Sequence, residues 1–335
     1  MPVAHKGVFY LNDTLTLTGE QKNKGQGFIN LLSNHTTILT IILISVFIFG
    51  SIFVPAMLQK DNLLNILRMS SIVGLVAVGT TVVLLTGEID LSVGSIMSFS
   101  LVFGGLAISS GSIPALLLTF LAGAFLGLIN GLIVAKFKIS SLMVTLGTLS
   151  IFGGLANILT RGQAIFLYDS PLYLMVGRGY FAGIPIPAII FTTTAVVIYF
   201  ILMNTKFGKE VYFTGANEKA ARISGVNVDK IKISAYIICG LCAALAGPIL
   251  STQTNRITPI QGAGYELTAI AIAVLGGTSL DGGKGSIIGT VLGALTFVLL
   301  LNVLTLSGVG TYMEQVLKGI MLIVIVMVYH NVGRR

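Results

Sequence analysis

Reactive side chains are few and scattered along these 335 residues, and each pattern that could support chemistry is incomplete. His5, His35 and His330 lie toward the chain ends with no HExxH spacing and no cysteine in reach, so no metal site is expected. No GxSxG elbow presents a nucleophilic serine. Cys239 and Cys242 form a CxxC pair, but they share one face of an apolar helical run and not the strand-to-helix turn of a dithiol redox motif. They read as small, buried packing residues. The stretch TSLDGGKGS, 278 to 286, ends like a phosphate-binding loop at Gly283-Lys284. It departs from GxxxxGK[ST] because Thr278 stands at the first glycine, Gly285 follows Lys284, and no strand precedes it. The chain is therefore expected to be no enzyme and to hold no cofactor, and any ATPase that drives it is a separate subunit.

The acidic residues are more informative, because only 12 occur and four of them, Glu88, Asp90, Glu266 and Asp281, fall at breaks between apolar runs. Asp90 and Asp281 precede helical runs, where a carboxylate can accept hydrogen bonds from free backbone amides and meets the positive dipole end. Helix capping and loop shaping on one side, and a role in transport or subunit contact on the other, stand side by side for these residues. Glu314 and Lys318, four residues apart near the start of the last run, are expected to pair, which would lessen the cost of burying either one.

The elements that must position these groups are membrane helices. Apolar residues make up 54% and charged residues 10% of the sequence, and the mean hydropathy is +0.95, all far outside the soluble range. Apolar runs predict helices at 36–57, 63–85, 92–109, 113–135, 142–160, 185–204, 231–252, 265–280, 285–306 and 313–330. The expectation is an all-α polytopic membrane protein of about ten transmembrane helices, some discontinuous. The run 92–109 is short, and the run from Tyr265 is short and broken by Gly276-Gly277, so either could stop within the membrane. Residues 1–35 are polar and lack the apolar core and cleavage site of a signal peptide, so they are expected to be a cytosolic tail ahead of one permease-like unit, 36–330, with 331–335 as a cytosolic C-terminus. With the N-terminus inside, Lys136, Lys138, Lys206, Lys209, Lys219, Arg222 and Lys230 fall in cytosolic loops, whereas only Lys60, Arg161, Arg178 and Arg256 fall outside. The net charge of +8 is thus a topology signal, and no loop is large enough to build a nucleic-acid-binding face.

A weak internal repeat aligns VLLTGEIDLSVGSI, 83 to 96, with VLGGTSLDGGKGSI, 274 to 287. Each copy places an acidic, glycine-rich break between two apolar runs, and both copies face the cytosol in this topology. Gly123, Gly127 and Gly131 form a stripe suited to close helix packing, and Gly247-Pro248 is expected to kink its helix. The only long charged internal loop, 205–232, contains GANEKAARISG, and a soluble partner could grip the chain firmly only there or at the termini.

GEIDLSVGS at 87–95, the GxNxxAAxxxG pattern spelled from Gly215 to Gly225, and GAGYELTAIAIAVLGGTSLDGGKGSIIGT at 262–290 together resemble the permease subunits of ribose-type ABC sugar importers. The similarity spans residues 60 to 330 and is specific to the family rather than to the solute, since related permeases serve other pentoses, hexoses, autoinducer-2 and nucleosides. The resemblance implies a multi-pass permease of the bacterial inner membrane that carries ribose or a similar neutral sugar. Its implied partners are a second permease copy or paralogue, a cytosolic ABC ATPase and an extracytoplasmic sugar-binding protein. It further implies that 215–225 couples to the ATPase through Gly215, Asn217, Glu218, Ala220, Ala221, Arg222 and Gly225. Ala220 and Ala221 favour a short helix, Asn217 can cap it, Gly215 and Gly225 would bound it, and Glu218, Lys219 and Arg222 could set its register on a partner. The turns carrying Glu88, Asp90 and Asp281 lie on the same face. The spans carry few charges and many Ser, Thr and Asn groups, which suits a neutral polar solute. A rival reading is a secondary transporter driven by an ion gradient, suggested by the repeat, the broken helices and the Glu314/Lys318 pair.

Overall fold

A computed structural model describes residues 35–167 and 170–333. The polar tail before His35 and the last two residues, Arg334 and Arg335, lie outside the described residues, as does the C-terminal segment beyond Gly333. Thirteen α-helices follow one another among the described residues. The first part of the chain forms α1 (His35–Phe53), α2 (Lys60–Leu85), the short α3 (Val93–Gly105), α4 (Ser112–Phe137) and α5 (Ser141–Thr160). A strand at Ile165–Phe166, α6 (Pro171–Arg178) and a small antiparallel ribbon of Tyr180–Phe181 with Ile184–Pro185 lead to α7 (Ile186–Asn204), and the strand at 165–166 pairs antiparallel with Arg256–Ile257 later in the chain. The charged segment is itself helical, as α8 (Lys206–Ala216) and α9 (Glu218–Ile223), and runs straight into α10 (Val228–Thr254). The chain closes with α11 (Tyr265–Leu275), α12 (Ile287–Leu306) and α13 (Thr311–Gly333).

Seven of these, α1, α2, α4, α5, α7, α10 and α12, are long and apolar enough to cross a membrane. Their burial separates two roles. Helix α2 is apolar on every side and buried without interruption from Ser70 to Leu85, which places it at the centre of the bundle. Helices α1, α5 and α7 bury one narrow stripe each and turn large apolar side chains outward, as lipid-facing helices do. The glycine stripe of α4 packs as expected: a methyl group on Gly123 would lie 2.6 Å from the Gly240 carbonyl oxygen, and one on Gly131 would lie 2.8 Å from Ile233 Cα, both on α10. Cys239 and Cys242 are free and buried on another face of α10, against Gly79 of α2. Pro248 lies inside α10, which continues to Thr254.

The two short helices stop inside the bundle. At about 1.5 Å per residue, the 13 residues of α3 and the 11 of α11 cover about 20 Å and 16 Å of an apolar layer about 30 Å thick. They occupy different halves. The far end of α3 lies beside the start of α4, with Gly104 against Ala115 and Thr119. The far end of α11 lies beside the start of α12, with Gly276 against Gly289. Their N-terminal ends meet near Gly94, which is in contact with the Gly262 carbonyl and the Glu266 carboxylate.

The non-helical backbone that completes each half-span is satisfied by side chains, as backbone at this depth must be. Ile89 donates its N–H to Ser141 Oγ at 3.2 Å and accepts from Tyr236 Oη at 3.1 Å. Gly262 donates to Ser98 Oγ at 2.8 Å.

Candidate functional site

Three separated segments converge at the end of the bundle that carries the basic loops. The C-terminus of α2 closes with Gly87 in a left-handed conformation, φ 81°, where its N–H returns to Leu84 O. The C-terminus of α11 closes in the same way at Gly277, φ 88°, with its N–H on Val274 O. Beyond them the two turns touch: Gly283 donates its N–H to Leu85 O at 3.0 Å, and Gly282 lies against Gly87. Gly215 of α8 fills the remaining space, and a β-carbon there would collide with the Leu85 carbonyl and crowd the Gly283 amide. The two repeat copies therefore end helices at one face of the molecule and pack together against the charged segment.

A charge network ties the segment down on its other side. Lys232, in the second turn of α10, is largely buried and places Nζ 2.8 Å from Glu218 Oε2 and 2.5 Å from Glu88 Oε1. Glu218 also accepts from Arg222 at 2.9 Å, and Arg222 reaches Asp229 at 2.7 Å. Burial raises the Glu218 pKa, but the hydrogen bonds from Lys232 and Arg222 outweigh it and hold the carboxyl below its ordinary value.

Within the segment, Asn217 caps α9 by accepting from the Ala220 N–H at 2.9 Å, and Gly225 ends it with φ 83°. Gly215 does not open this helix. It lies in the last turn of α8, where close approach to Leu85 and Gly283, rather than turn geometry, calls for a glycine. Ala221 is fully buried and faces inward, so it cannot touch a docked partner. Glu218 and Arg222 are engaged within the chain, which leaves Lys219 as the free charge of α9. The outward apolar residue is Ile223, 88% exposed, with Phe213 partly exposed in the helix before. Neither Ile223 nor Lys232 was singled out by sequence, because one looks like an ordinary apolar residue and the other like a topology charge.

The acidic turns differ from each other. Asp90 is fully buried and accepts from Ser92 N at 2.8 Å and Ser92 Oγ at 2.6 Å, while Asn130 Nδ2 donates to Ser92 Oγ at 2.7 Å. This shapes the turn before α3 rather than capping the helix, whose N-cap is Ser92. Asp281 is exposed and lies five residues before Ser286, the N-cap of α12. Asp90 thus shapes its loop through a free backbone amide, while neither carboxylate is the N-cap residue of a helix. Nor do Glu314 and Lys318 pair: Glu314 accepts the Thr305 hydroxyl at 2.6 Å, and no ion pair of the described residues includes Lys318.

Half-helices meeting inside a bundle, and two helix ends packed against a charged helical segment, describe a membrane transport subunit. Residues 62–326 match the family described as branched-chain amino acid transport system / permease component, and the chain belongs to that family. It is 44% identical to the ribose import permease protein RbsC of Bacillus subtilis, over 84% of this chain and 88% of that one. It is 33% identical to the L-arabinose ABC transporter permease protein AraH of Azospirillum brasilense, over 91% and 90% of the two chains. It is 32% identical to the D-allose transport system permease protein AlsC of Escherichia coli, over 83% and 86%. A solved structure described as an inward-facing conformation of a metal-chelate type ABC transporter shares the fold, with a TM-score of 0.53 and 15% identity over 87% of this chain and 98% of that one.

Proposed function

We propose that the chain is the permease subunit of an ABC importer for a monosaccharide, ribose or a similar neutral sugar. The observation that carries this reading is the 44% identity to a ribose import permease over most of both chains. Relatives named for L-arabinose and D-allose support the wider sugar class. The permease unit, 36–330, works in a bacterial inner membrane with both termini cytosolic, paired with a second copy or a paralogue. A separate cytosolic ATPase supplies the energy and an extracytoplasmic binding protein delivers the sugar.

The coupling surface is the α8–α9 segment. Asn217 and Gly225 set its ends, Ala220 and Ala221 build its helix, and Glu218 and Arg222 hold it to the body of the protein. Ile223 and Lys219 project from it, an apolar knob beside one free charge, which suits a groove in a soluble partner. Gly215 and the turns at Glu88, Asp90 and Asp281 lie behind that surface, so motion of the segment reaches α2, α3, α11 and α12 directly. Cells lacking this chain should lose high-affinity uptake of the sugar bound by its binding protein and regain it when the chain is restored. Uptake indifferent to the chain would contradict the reading.

A further inference from the structure

A polar cavity lies at the end opposite the charged segment, between α2, α11, α12 and α13, and has a volume of about 500 Å³. Two further creases are lined almost wholly by apolar side chains, such as Phe191 and Val196 or Phe47 and Leu67, as expected of surfaces that lipid covers. The polar cavity is different in chemistry. Asn65, Thr268, Asn302, Glu314, Gln315 and Lys318 line it together with Tyr265 and Phe297. Asn302 is fixed by a reciprocal amide pair with Asn62, at 2.8 and 3.1 Å, and Glu314 by the Thr305 hydroxyl. Asn65, Gln315 and Lys318 make no hydrogen bond or ion pair with the described residues, so their donors and acceptors are available to the cavity.

Asn65 and Gln315 are exposed and Lys318 is half-buried, so these groups stand at the open side of the cavity, where a polar ligand or water can meet them. The cavity also borders irregular backbone. It reaches Val73, halfway along α2, and Gly264-Tyr265, where α11 begins inside the bundle. Irregular backbone at that depth is tolerated where it borders a cavity, and transporters place solute sites at such broken helices.

The geometry points to a binding site for a neutral polyhydroxylated solute, a monosaccharide, in this cavity, with Asn65 and Gln315 as hydroxyl-binding residues and Tyr265 beside the apolar face of the ring. The inference rests on the importer reading and names where the permease itself touches its cargo. Amides both donate and accept, as sugar hydroxyls do, and the opposite charges of Glu314 and Lys318 cancel, which favours an uncharged solute over an anion or a cation. The size fits: small-molecule sites run from about 300 to 1,000 Å³.

The test uses the complete importer in proteoliposomes, with its ATPase and binding protein and labelled D-ribose, L-arabinose and D-allose as probes. The sugar carried fastest by the unaltered protein is then followed in Asn65→Leu and Gln315→Leu. Sugar carried per ATP hydrolysed should fall by about fivefold, the size of one lost hydrogen bond. Assembly and binding-protein-stimulated hydrolysis should persist, and Gln315→Glu should retain part of the transport. To separate a site from a misfolded helix, Gln315→Cys is labelled with a polar thiol reagent, the two native cysteines being buried. The same sugar at high concentration should slow that labelling. Unchanged sugar-to-ATP ratios in both leucine variants, or labelling indifferent to sugar, overturns the site while leaving the importer reading in place. Failure of the unaltered protein to carry any of the three sugars overturns the importer reading, and the site with it.

Discussion

Lys232 and Glu218 meet at 2.8 Å, so the first turns of α10 are bolted to the short helix α9. The same ammonium group holds Glu88, and α9 therefore cannot shift without pulling on the turn that follows α2. Lys232→Met leaves two carboxylates facing each other without a cation. We expect a loss of about 2 kcal/mol, less than for a fully buried pair because Glu218 is partly exposed. Thermal unfolding in detergent checks it, and Lys232→Arg should recover most of the loss. A second readout is transport per ATP, which should fall in Lys232→Met even where the ATPase still binds.

Gly215→Ala should destabilise the protein more than Gly225→Ala. At Gly215 a methyl group meets the backbone of Leu85 and Gly283 and forces packed segments apart, at about 1–3 kcal/mol. At Gly225 the space is open and the cost is the left-handed backbone alone, about 1 kcal/mol. Melting temperatures of the two variants give the order directly.

Ile223→Asp and Ala221→Arg separate docking from folding. Ile223 projects into solvent, so its substitution should leave the melting temperature unchanged and weaken association with the ATPase by about thirtyfold, the weight of one interface anchor. Ala221 is buried, so an arginine there should lower the yield of folded protein before any partner is added. Co-purification and melting curves on both variants distinguish the two effects. Equal binding by the Ile223 variant would remove α9 from the coupling surface.

Acidification should loosen the same segment. The Glu218 carboxyl lies below its ordinary value when folded, so its contribution is fully present above that value and is lost as pH falls through the lowered one. Exchange of the α9 amides should thus be independent of pH near neutrality and accelerate, beyond the intrinsic rate, only at acidic pH. Glu218→Gln should abolish that acid-dependent step.

The spans were legible in the sequence because each is an apolar run of helical length, and the break at Gly276-Gly277 marked the end of α11. The meeting of α3 and α11 was not, because it depends on contacts of Gly94 with Gly262 and Glu266, more than 160 positions further along the chain. Asn217 and Gly225 could be read as helix ends since capping is local chemistry. The inward face of Ala221 could not, because α9 has six residues, fewer than two helical turns, and shows no period. Asp90 and Asp281 look alike in the repeat, yet only Asp90 is enclosed by α4 through Ser92 and Asn130. Glu314 and Lys318 had the right spacing for a pair, but the Thr305 hydroxyl competes for the carboxylate.

The most direct test of the account is uptake of labelled sugar by proteoliposomes containing this chain, measured with and without its ATPase and with ATP, a proton gradient or a sodium gradient as the energy source. Uptake should require the ATPase, ATP and the binding protein together and be indifferent to both gradients. Uptake that persists without the ATPase and follows an ion gradient would contradict it.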